Sequence, residues 1–512
     1  MSIGPRALPL CAALLLAFGA PALAQSLEPE AALVHHPVNT KSTAAQRYFD
    51  EGLTLVYAFN RDEARKRFES AAALDPKLAM AFWGVALAEG PNLNFPMESP
   101  RLAIANAALE KAKALAGGAS PEERRYIEAL VLRYPNDPKV PAAAYYLAYR
   151  DAMLRLSADY PADDDAAALA VESAMDVDEW GWVGGVPVGP TASLAATLET
   201  VLRRNPGHIG ANHFYVHLMD FQGVAERAVP SARRLSVLPI EPAASHLVHM
   251  AGHTDLDVGN FSALLREERA GVEMDLAYAA ASGVAPGKLD YFTHDLSFFT
   301  GAAVMLGDAT AIDDAIAICK NNHETLGMLA YARLGRWQDV LAWPAPSDRY
   351  GLVRYHYARV LAFTGLGDAA RAQGEFGALE SAVPPGDGSF FAPLLGMARA
   401  NLAYGQGDRR AAVSELRAAI EGMGQYPPEV YAPWFYPAGE WLGWILLHAG
   451  DTTGAETAFR NDLVRTPHNA RALFGLMESL GFAGRLGDAR GYAGDVAANW
   501  RGPIAELRLG NV

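Results

Sequence analysis

The sequence has few cysteines, no long apolar run and no excess of positive charge, and each of these absences excludes a class of protein. Only two cysteines occur among 512 residues, too few for a disulfide framework or a thiolate zinc site. The formal net charge is −15, and the charges are dispersed, so the basic surface of a nucleic-acid-binding protein is missing. No stretch reaches the roughly 18 uninterrupted apolar residues that a membrane-spanning helix needs.

Other chemical signatures are absent as well. There is no glycine-rich phosphate loop followed by lysine, no dinucleotide fingerprint and no nucleophile elbow. We therefore expect neither a nucleotide nor a flavin, and a serine or cysteine hydrolase mechanism is unsupported.

Residues 1–24 have the pattern of a secretory signal peptide. Arg6 supplies the positive charge, Leu10–Phe18 the short apolar run, and Ala22–Ala24 the small residues that precede a cleavage site. We expect cleavage after Ala24 and a periplasmic or secreted protein with no integral membrane segment after that cleavage.

A spacing of small, aromatic and proline residues recurs near both ends of the chain. The two sets share intervals of 12, 4 and 8 residues: Gly52, Ala64, Phe68 and Pro76, and Gly443, Ala455, Phe459 and Pro467. This pattern resembles the tetratricopeptide repeat (TPR), and the histidine-rich middle of an exported bacterial chain would be a further feature of this member. In that family a small residue lets two antiparallel helices approach, an aromatic ring fills the seam, and a proline ends the second helix.

A glycine recurs at the predicted turn between paired helices in the rest of the chain. The spacing is 28 to 48 residues, around the unit of about 34 in this family: Gly223, Gly259, Gly307, Gly335, Gly367, Gly407, Gly450 and Gly484. We expect left-handed backbone at these positions, since it closes a helix end at no cost to glycine. The resemblance implies an all-α solenoid of antiparallel helix pairs, wound as a right-handed superhelix with a concave groove.

The repeat pattern organises the chain as one continuous solenoid. After the signal come an N-terminal extension (25–44), which we expect to be solvated, and N-terminal TPR-like repeats (45–160). Histidine-rich middle repeats (161–310) and C-terminal TPR-like repeats (311–512) complete it. Two stretches rich in glycine, proline and aromatics interrupt the helices, at 90–100 and 176–191.

Histidines crowd into the middle repeats in matching positions. His213 and His217 follow the preceding proline by 7 and 11 residues, and His249 and His253 do the same one repeat later. Residues four apart share one face of a helix. We therefore expect both pairs to face the concave groove.

Further residues take related positions. Glu172 corresponds to His217 one repeat earlier, while His246 and His294 each lie 13 residues before a glycine turn. Imidazole nitrogens with a carboxylate are ligands that transition metals accept. We predict a metal site with these ligands: His213, His217, His249, His253 and Glu172, with His246 and His294 as lesser candidates.

The metal ion and the partners of the ligating histidines each have several candidates. Copper, iron, zinc and manganese all accept such ligands. Asp220, Asp255 and Asp257 are candidates to accept a hydrogen bond from the outer nitrogen of a ligating histidine.

The interruptions supply residues that would line or cover the groove. Trp180 and Trp182 would either form a lid over the site or fill a gap between poorly matched repeats. Asn92 and Asn94 would line the groove one repeat earlier.

Two functions fit these features: the fold resemblance favours the first, and the matching positions of the histidines favour the second, which we keep as the alternative. In the first, the concave groove binds a peptide, protein or small molecule through a histidine-rich, metal-binding surface whose charge changes between about pH 5 and 8. In the second, the protein is a periplasmic metalloenzyme with one metal ion. Glu172 would then be a ligand or general base, and the ion would activate water or oxygen on a small organic substrate.

Overall fold

The computed structural model describes residues 34–134, 141–424 and 437–507; the predicted signal peptide lies outside these ranges. The described chain is helical apart from turns and one antiparallel hairpin of two strands. The predicted all-α solenoid of antiparallel helix pairs is confirmed. No helix in the described ranges is both long and apolar enough to cross a bilayer.

The first half of the chain contains these helices and strands: α1 (Thr43–Tyr57), α2 (Arg61–Leu74), α3 (Ala79–Ala88), α4 (Ser99–Leu115), α5 (Pro121–Val131), α6 (Ala142–Asp159), α7 (Asp164–Met175), β1 (Gly181–Val183), β2 (Val186–Val188), α8 (Thr191–Arg204), α9 (Ile209–Met219), α10 (Val229–Leu235), α11 (Ser245–Asp257) and α12 (Phe261–Ser282). In the hairpin, Trp182 pairs with Pro187.

The second half contains these helices: α13 (Phe292–Leu306), α14 (Ala309–Asn321), α15 (Leu326–Arg333), α16 (Trp337–Leu341), α17 (Arg349–Gly365), α18 (Ala369–Ala382), α19 (Gly388–Gly405), α20 (Arg409–Met423), α21 (Ala438–His448), α22 (Thr452–Arg465), α23 (Ala470–Phe482), α24 (Leu486–Gly491) and α25 (Ala493–Asn499).

One aromatic ring holds together the helices at each end of the array. The ring of Phe68 fills the space where a Cβ of Gly52 or Gly84 would lie, and Phe459 occupies the same position between Gly443 and Gly475. Both rings are fully buried. The repeated spacing therefore reflects a close approach of three successive helices around one phenylalanine.

All eight glycines predicted at turns have positive φ, between 62° and 83°. The residue that follows often caps the next helix: the side chains of Asn260 and Asp308 accept hydrogen bonds from the backbone N–H three residues on. A left-handed glycine followed by a capping side chain ends one helix and starts the next within two residues. This local chemistry sets the helix boundaries.

The N-terminal residues before α1 pack against the repeats. His36 is buried, with its Nδ1 atom 2.8 Å from Oδ2 of Asp165 on α7. His35 stays exposed and pairs with Asp50. The expectation of a solvated extension is therefore wrong for His36.

The buried apolar residues form two large clusters, one over residues 34–251 and one over 261–489. The chain beyond α12 curls back, so that Pro467 lies against Gly259 and Arg501 pairs with Asp308. Helices α9 and α11 belong to the first cluster, and α13 belongs to the second. The middle histidines thus lie where the two cores meet.

Candidate metal centre

Helices α9, α11 and α13 bring six middle histidines together in the protein interior. These form two groups, and within each group one ring nitrogen of every member lies within 4.8 Å of the others. We call these groups the first triad (His213, His217 and His246) and the second triad (His249, His253 and His294).

The second triad converges through its Nε2 atoms. Nε2 of His249 lies 2.9 Å from Nε2 of His253, which lies 3.4 Å from Nε2 of His294. On the outer side, Nδ1 of His249 is 2.9 Å from Glu268, and Nδ1 of His253 is 2.9 Å from Asp220. Carboxylates that hold the outer nitrogen orient a histidine for metal binding.

With both carboxylates ionised, this arrangement favours a cation between the rings. An ionised carboxylate only accepts hydrogen bonds, so Nδ1 of both His249 and His253 donates, and both Nε2 lone pairs then face each other. A proton can bridge two nitrogens, but Nε2 of His294 provides a third. Three converging nitrogens match a metal ion with bonds of about 2.0–2.1 Å.

Glu268 also permits a neutral arrangement of the same rings. Burial, followed by the charge of Asp295, raises the pKa of Glu268 well above its usual range. A protonated Glu268 can donate to Nδ1 of His249, which leaves a proton on Nε2 for His253. A metal ion would displace that proton.

The first triad has unpaired nitrogens. Nδ1 of His213 lies 2.6 Å from the backbone oxygen of Tyr57. A carbonyl only accepts, so Nδ1 carries the proton and Nε2 carries the lone pair. Nε2 of His213, Nε2 of His217 and both ring nitrogens of His246 are buried without a hydrogen-bond partner among the described residues. Buried unpaired ring nitrogens are rare in folded proteins, and a bound ion would take one lone pair from each of the three rings.

Phe59 covers the first triad from a strained backbone position. Its ring centroid lies 4.6 Å from that of His213, 5.9 Å from that of His217 and 5.5 Å from that of His246. Its φ is 57°, which is unfavourable for a bulky side chain. The residue precedes the capping Asn60 just as Gly259 precedes Asn260. An aromatic ring thus stands where the repeats otherwise use glycine.

Burial keeps most of these imidazoles neutral. It lowers the pKa of His213 to about 3, although the Tyr57 carbonyl opposes the shift. Burial and the neighbouring His253 likewise lower the pKa of His294 to about 3. The pKa values of the remaining shifted members also fall well below 6.5, through burial first and then nearby histidines: His217, His246 and His249.

These positions differ from the expected open groove. His213 and His249 have no exposed surface, and His246 and His253 are 3% and 7% exposed. The expected surface that changes charge between pH 5 and 8 is wrong for the histidines with lowered pKa, because they remain neutral there. A neutral imidazole is the form that binds metal.

Glu172 lies elsewhere in the structure. Its nearest charged partner is Arg133, with an N to O distance of 3.9 Å, beside Asp176. Burial, then the charge of Asp176, raises its pKa to about 8 in spite of Arg133. None of the potential metal-ligand groups in the described ranges includes Glu172. The structure therefore does not bring it together with the histidines.

The two tryptophans belong to the β1–β2 hairpin and its approach. Trp180 donates from Nε1 to the backbone oxygen of Met175, and Trp182 donates to that of Leu218 at the end of α9. Phe221 packs edge-on against Trp180. The hairpin thus covers the helix that carries His217, through backbone rather than imidazole contacts.

The asparagine loop reaches the site through one tyrosine. Asn94 donates from Nδ2 to the hydroxyl of Tyr291 at 3.1 Å, and the Tyr291 ring stacks on His246 at 3.9 Å between centroids. Asn92 lines a small cavity with Glu172 and Phe59. Asn94 is therefore linked to the first triad, whereas Asn92 faces the neighbouring cavity.

Several functional residues escape sequence reasoning. Glu268 lies on α12, on the second helix of its pair, and a Cβ on Gly252 would overlap its side chain. Tyr57 contributes its backbone oxygen, and a backbone contact leaves no signal in the type of residue. Phe59 does leave a signal, since it replaces glycine in front of a capping asparagine.

No model of a known protein family matches the chain, and no curated protein matches it either. Among solved structures it is similar to the APC/C hetero-tetramer Cut9–Hcn1, at 13% identity and a TM-score of 0.31, over 90% of this chain and 74% of that chain. It is also similar to the human IFIT1 dimer with m7Gppp-AAAA, at 13% identity and a TM-score of 0.35, over 90% of this chain and 91% of that one. At this identity and overlap, neither structure informs the function.

Proposed function

We propose that the protein is an exported helical-repeat metalloprotein in which the first and second triads each bind one transition-metal ion. The observation that carries the proposal is the convergence of three Nε2 atoms in the second triad. Nε2 of His253 lies 2.9 Å from that of His249 and 3.4 Å from that of His294. The outer Nδ1 atoms of His249 and His253 are held by carboxylates. The unpaired buried nitrogens of the first triad support a second ion beside it.

Three nitrogen ligands leave a coordination position open. Structural zinc sites fill all four positions with side chains, whereas catalytic sites keep one for water or substrate. The triads therefore favour a centre that binds and activates water or dioxygen. In this proposal the metalloenzyme function depends on two histidine triads instead of one site with Glu172 as ligand.

The ligand types narrow the choice of metal. Imidazole suits zinc, copper and iron, while manganese prefers carboxylate and water oxygens. Here the carboxylates of Glu268 and Asp220 face the outer nitrogens. We expect copper or zinc to bind more tightly than manganese.

Export and a partner in the concave groove are also part of the proposal. Export rests on the signal-like residues 1–24, and N-terminal sequencing of the mature protein is expected to start at Gln25. A peptide, protein or small-molecule partner in the concave groove also stays a prediction. Because the triads are buried, a peptide in that groove would not contact most of their imidazoles.

The test is metal stoichiometry. The untagged protein is stripped with a chelator, reloaded with Cu²⁺ or Zn²⁺, desalted and analysed by elemental mass spectrometry. We expect two ions per chain, one ion after His217→Gln or His294→Gln, and none after both substitutions. These two positions are only half-buried, so the variants should fold. His448→Gln, at an exposed position, is the control that keeps two ions.

Two results would overturn the proposal. One is a wild-type protein that retains no stoichiometric metal after reloading while its circular dichroism shows a folded helical chain. The other is a double variant that still holds two ions.

A further inference from the structure

A cavity of about 430 Å³ lies between α12–α13 and the returning helices α20–α22. Its inner wall is apolar and buried, with Leu264, Phe298, Met305, Leu442 and Leu446 as principal residues. Protein interiors are close-packed, so a space of this size is not a packing defect. The volume falls in the range of small-molecule sites, about 300–1,000 Å³. We call this space the central cavity.

The mouth of the central cavity is polar. Thr453, Thr457 and Asn461 line it and are exposed. An apolar interior with a few polar groups at one end suits a molecule that has an apolar body and a polar group at one end. Three charged residues also line the cavity: Arg417, Asp462 and Arg465. The apolar inner wall itself would leave a charged group without hydration, which favours an uncharged body for the part of the ligand that lies there.

Phe298 connects the central cavity with the second triad. Its ring lines the cavity, and its centroid is 4.8 Å from that of His294 and 5.0 Å from those of His249 and His253. Phe298 and His294 lie one helical turn apart on α13. One ring thus forms the wall between the cavity and the converging nitrogens.

We propose that the central cavity binds an uncharged, mostly apolar organic molecule beside the second triad, with the Phe298 ring between the molecule and the triad's metal. The apolar body would lie against Phe298, and its single polar group would face Thr457 and Asn461. The effect of the bound molecule on the metal of the second triad rests on the proposed function. The binding of that molecule in the central cavity does not depend on it.

The probe for the cavity is 2-naphthol, which is uncharged at neutral pH, apolar over two rings and fluorescent. We expect saturable binding to the full-length mature protein with and without metal. Thr457→Trp would fill the mouth and weaken binding at least tenfold. Thr200→Trp is the matched control, because both threonines are exposed and donate to the carbonyl four residues earlier in a helix.

The probe for the link is the visible spectrum of the protein loaded with Co²⁺. We expect 2-naphthol to change the ligand-field bands of the wild type, and Phe298→Ala to enlarge that change by removing the wall. Phe298→Leu keeps most of the apolar volume and serves where the alanine variant is unstable.

The outcomes separate the two proposals. If 2-naphthol does not bind, or if Thr457→Trp binds it as well as Thr200→Trp does, the cavity is not the site. If it binds but leaves the Co²⁺ bands unchanged in the wild type and both Phe298 variants, the link to the metal is wrong. If it binds and no Co²⁺ is retained, the cavity stands and the proposed metal centre fails.

Discussion

The backbone oxygen of Tyr57 lies 2.6 Å from Nδ1 of His213, although 156 residues separate them in the sequence. The hydroxyl of the same tyrosine donates to Oδ1 of Asp165 at 2.6 Å. The main chain of Tyr57 thus fixes the tautomer of a triad histidine, while its side chain ties α1 to α7. The two roles can be separated by substitution.

Tyr57→Phe removes the hydroxyl and keeps the carbonyl. We expect the free energy of unfolding to fall by about 1–3 kcal/mol, because Asp165 loses a buried hydrogen bond. The metal stoichiometry should stay unchanged, because the contact with His213 needs only the main chain. Urea unfolding and elemental analysis on the same preparations check both points; a loss of one ion would contradict the assigned roles.

The carboxylates behind the second triad should tune its affinity. Asp220→Asn and Glu268→Gln keep the shape of the side chain and remove its ability to carry a negative charge beside Nδ1. We expect each to weaken binding of one ion by about 10–100-fold. Competition with a coloured chelator measures the affinity. Asp314→Asn, which alters a partly exposed ion pair with Arg269, should leave the metal affinity as in the wild type.

Phe59 should protect the ion of the first triad. Phe59→Gly relieves the positive φ, worth about 1–3 kcal/mol, but deletes a buried ring, which costs about 3–5 kcal/mol. We expect a net loss of stability and faster removal of one ion by a chelator. The ion in the second triad is the internal control. Equal acceleration for both ions would mean general loosening rather than a lost cover.

His36 should make stability depend on pH. Burial lowers its pKa, but the hydrogen bond and charge of Asp165 outweigh burial, and the folded pKa lies above the unfolded value of 6.5. Its contribution is therefore complete below about pH 6.5 and disappears as pH rises through the folded pKa.

The variant His36→Gln checks this sign. We expect it to lose more stability, relative to the wild type, at pH 5.5 than at pH 9 in urea unfolding. In an Asp165→Asn background, the larger loss at pH 5.5 should no longer appear, because burial, the largest influence on the His36 pKa, lowers it. A larger loss at pH 9 would reverse the predicted sign.

The features that could be predicted from the sequence are those set by local chemistry. Positive φ at Gly259 or Gly307 follows from a helix end before a capping residue, and the seam around Phe68 follows from fixed intervals. The positions of His213 and His217 on one helix face follow from their spacing of four.

The features that could not be predicted depend on how distant helices meet. Helix α11 lies between α9 and α13 and presents different residues to each. His246 therefore groups with the two histidines of α9, whereas His249 groups with His294 of α13. The repeat pattern gives Glu172 an equivalent position, yet its charged neighbours in the structure are Arg133 and Asp176. Spacing along one helix does not specify the partner on another.

The triad ligands come from three separate repeats, at the boundary where the two apolar cores meet. Local opening follows cooperative units, and the boundary between two apolar cores is where such units would separate. Ions bound across that boundary would add their binding energy to the folded state alone. The metal-loaded chain is then expected to unfold in a single thermal transition and the metal-stripped chain in two. The supply of metal would therefore decide how cooperatively the molecule unfolds.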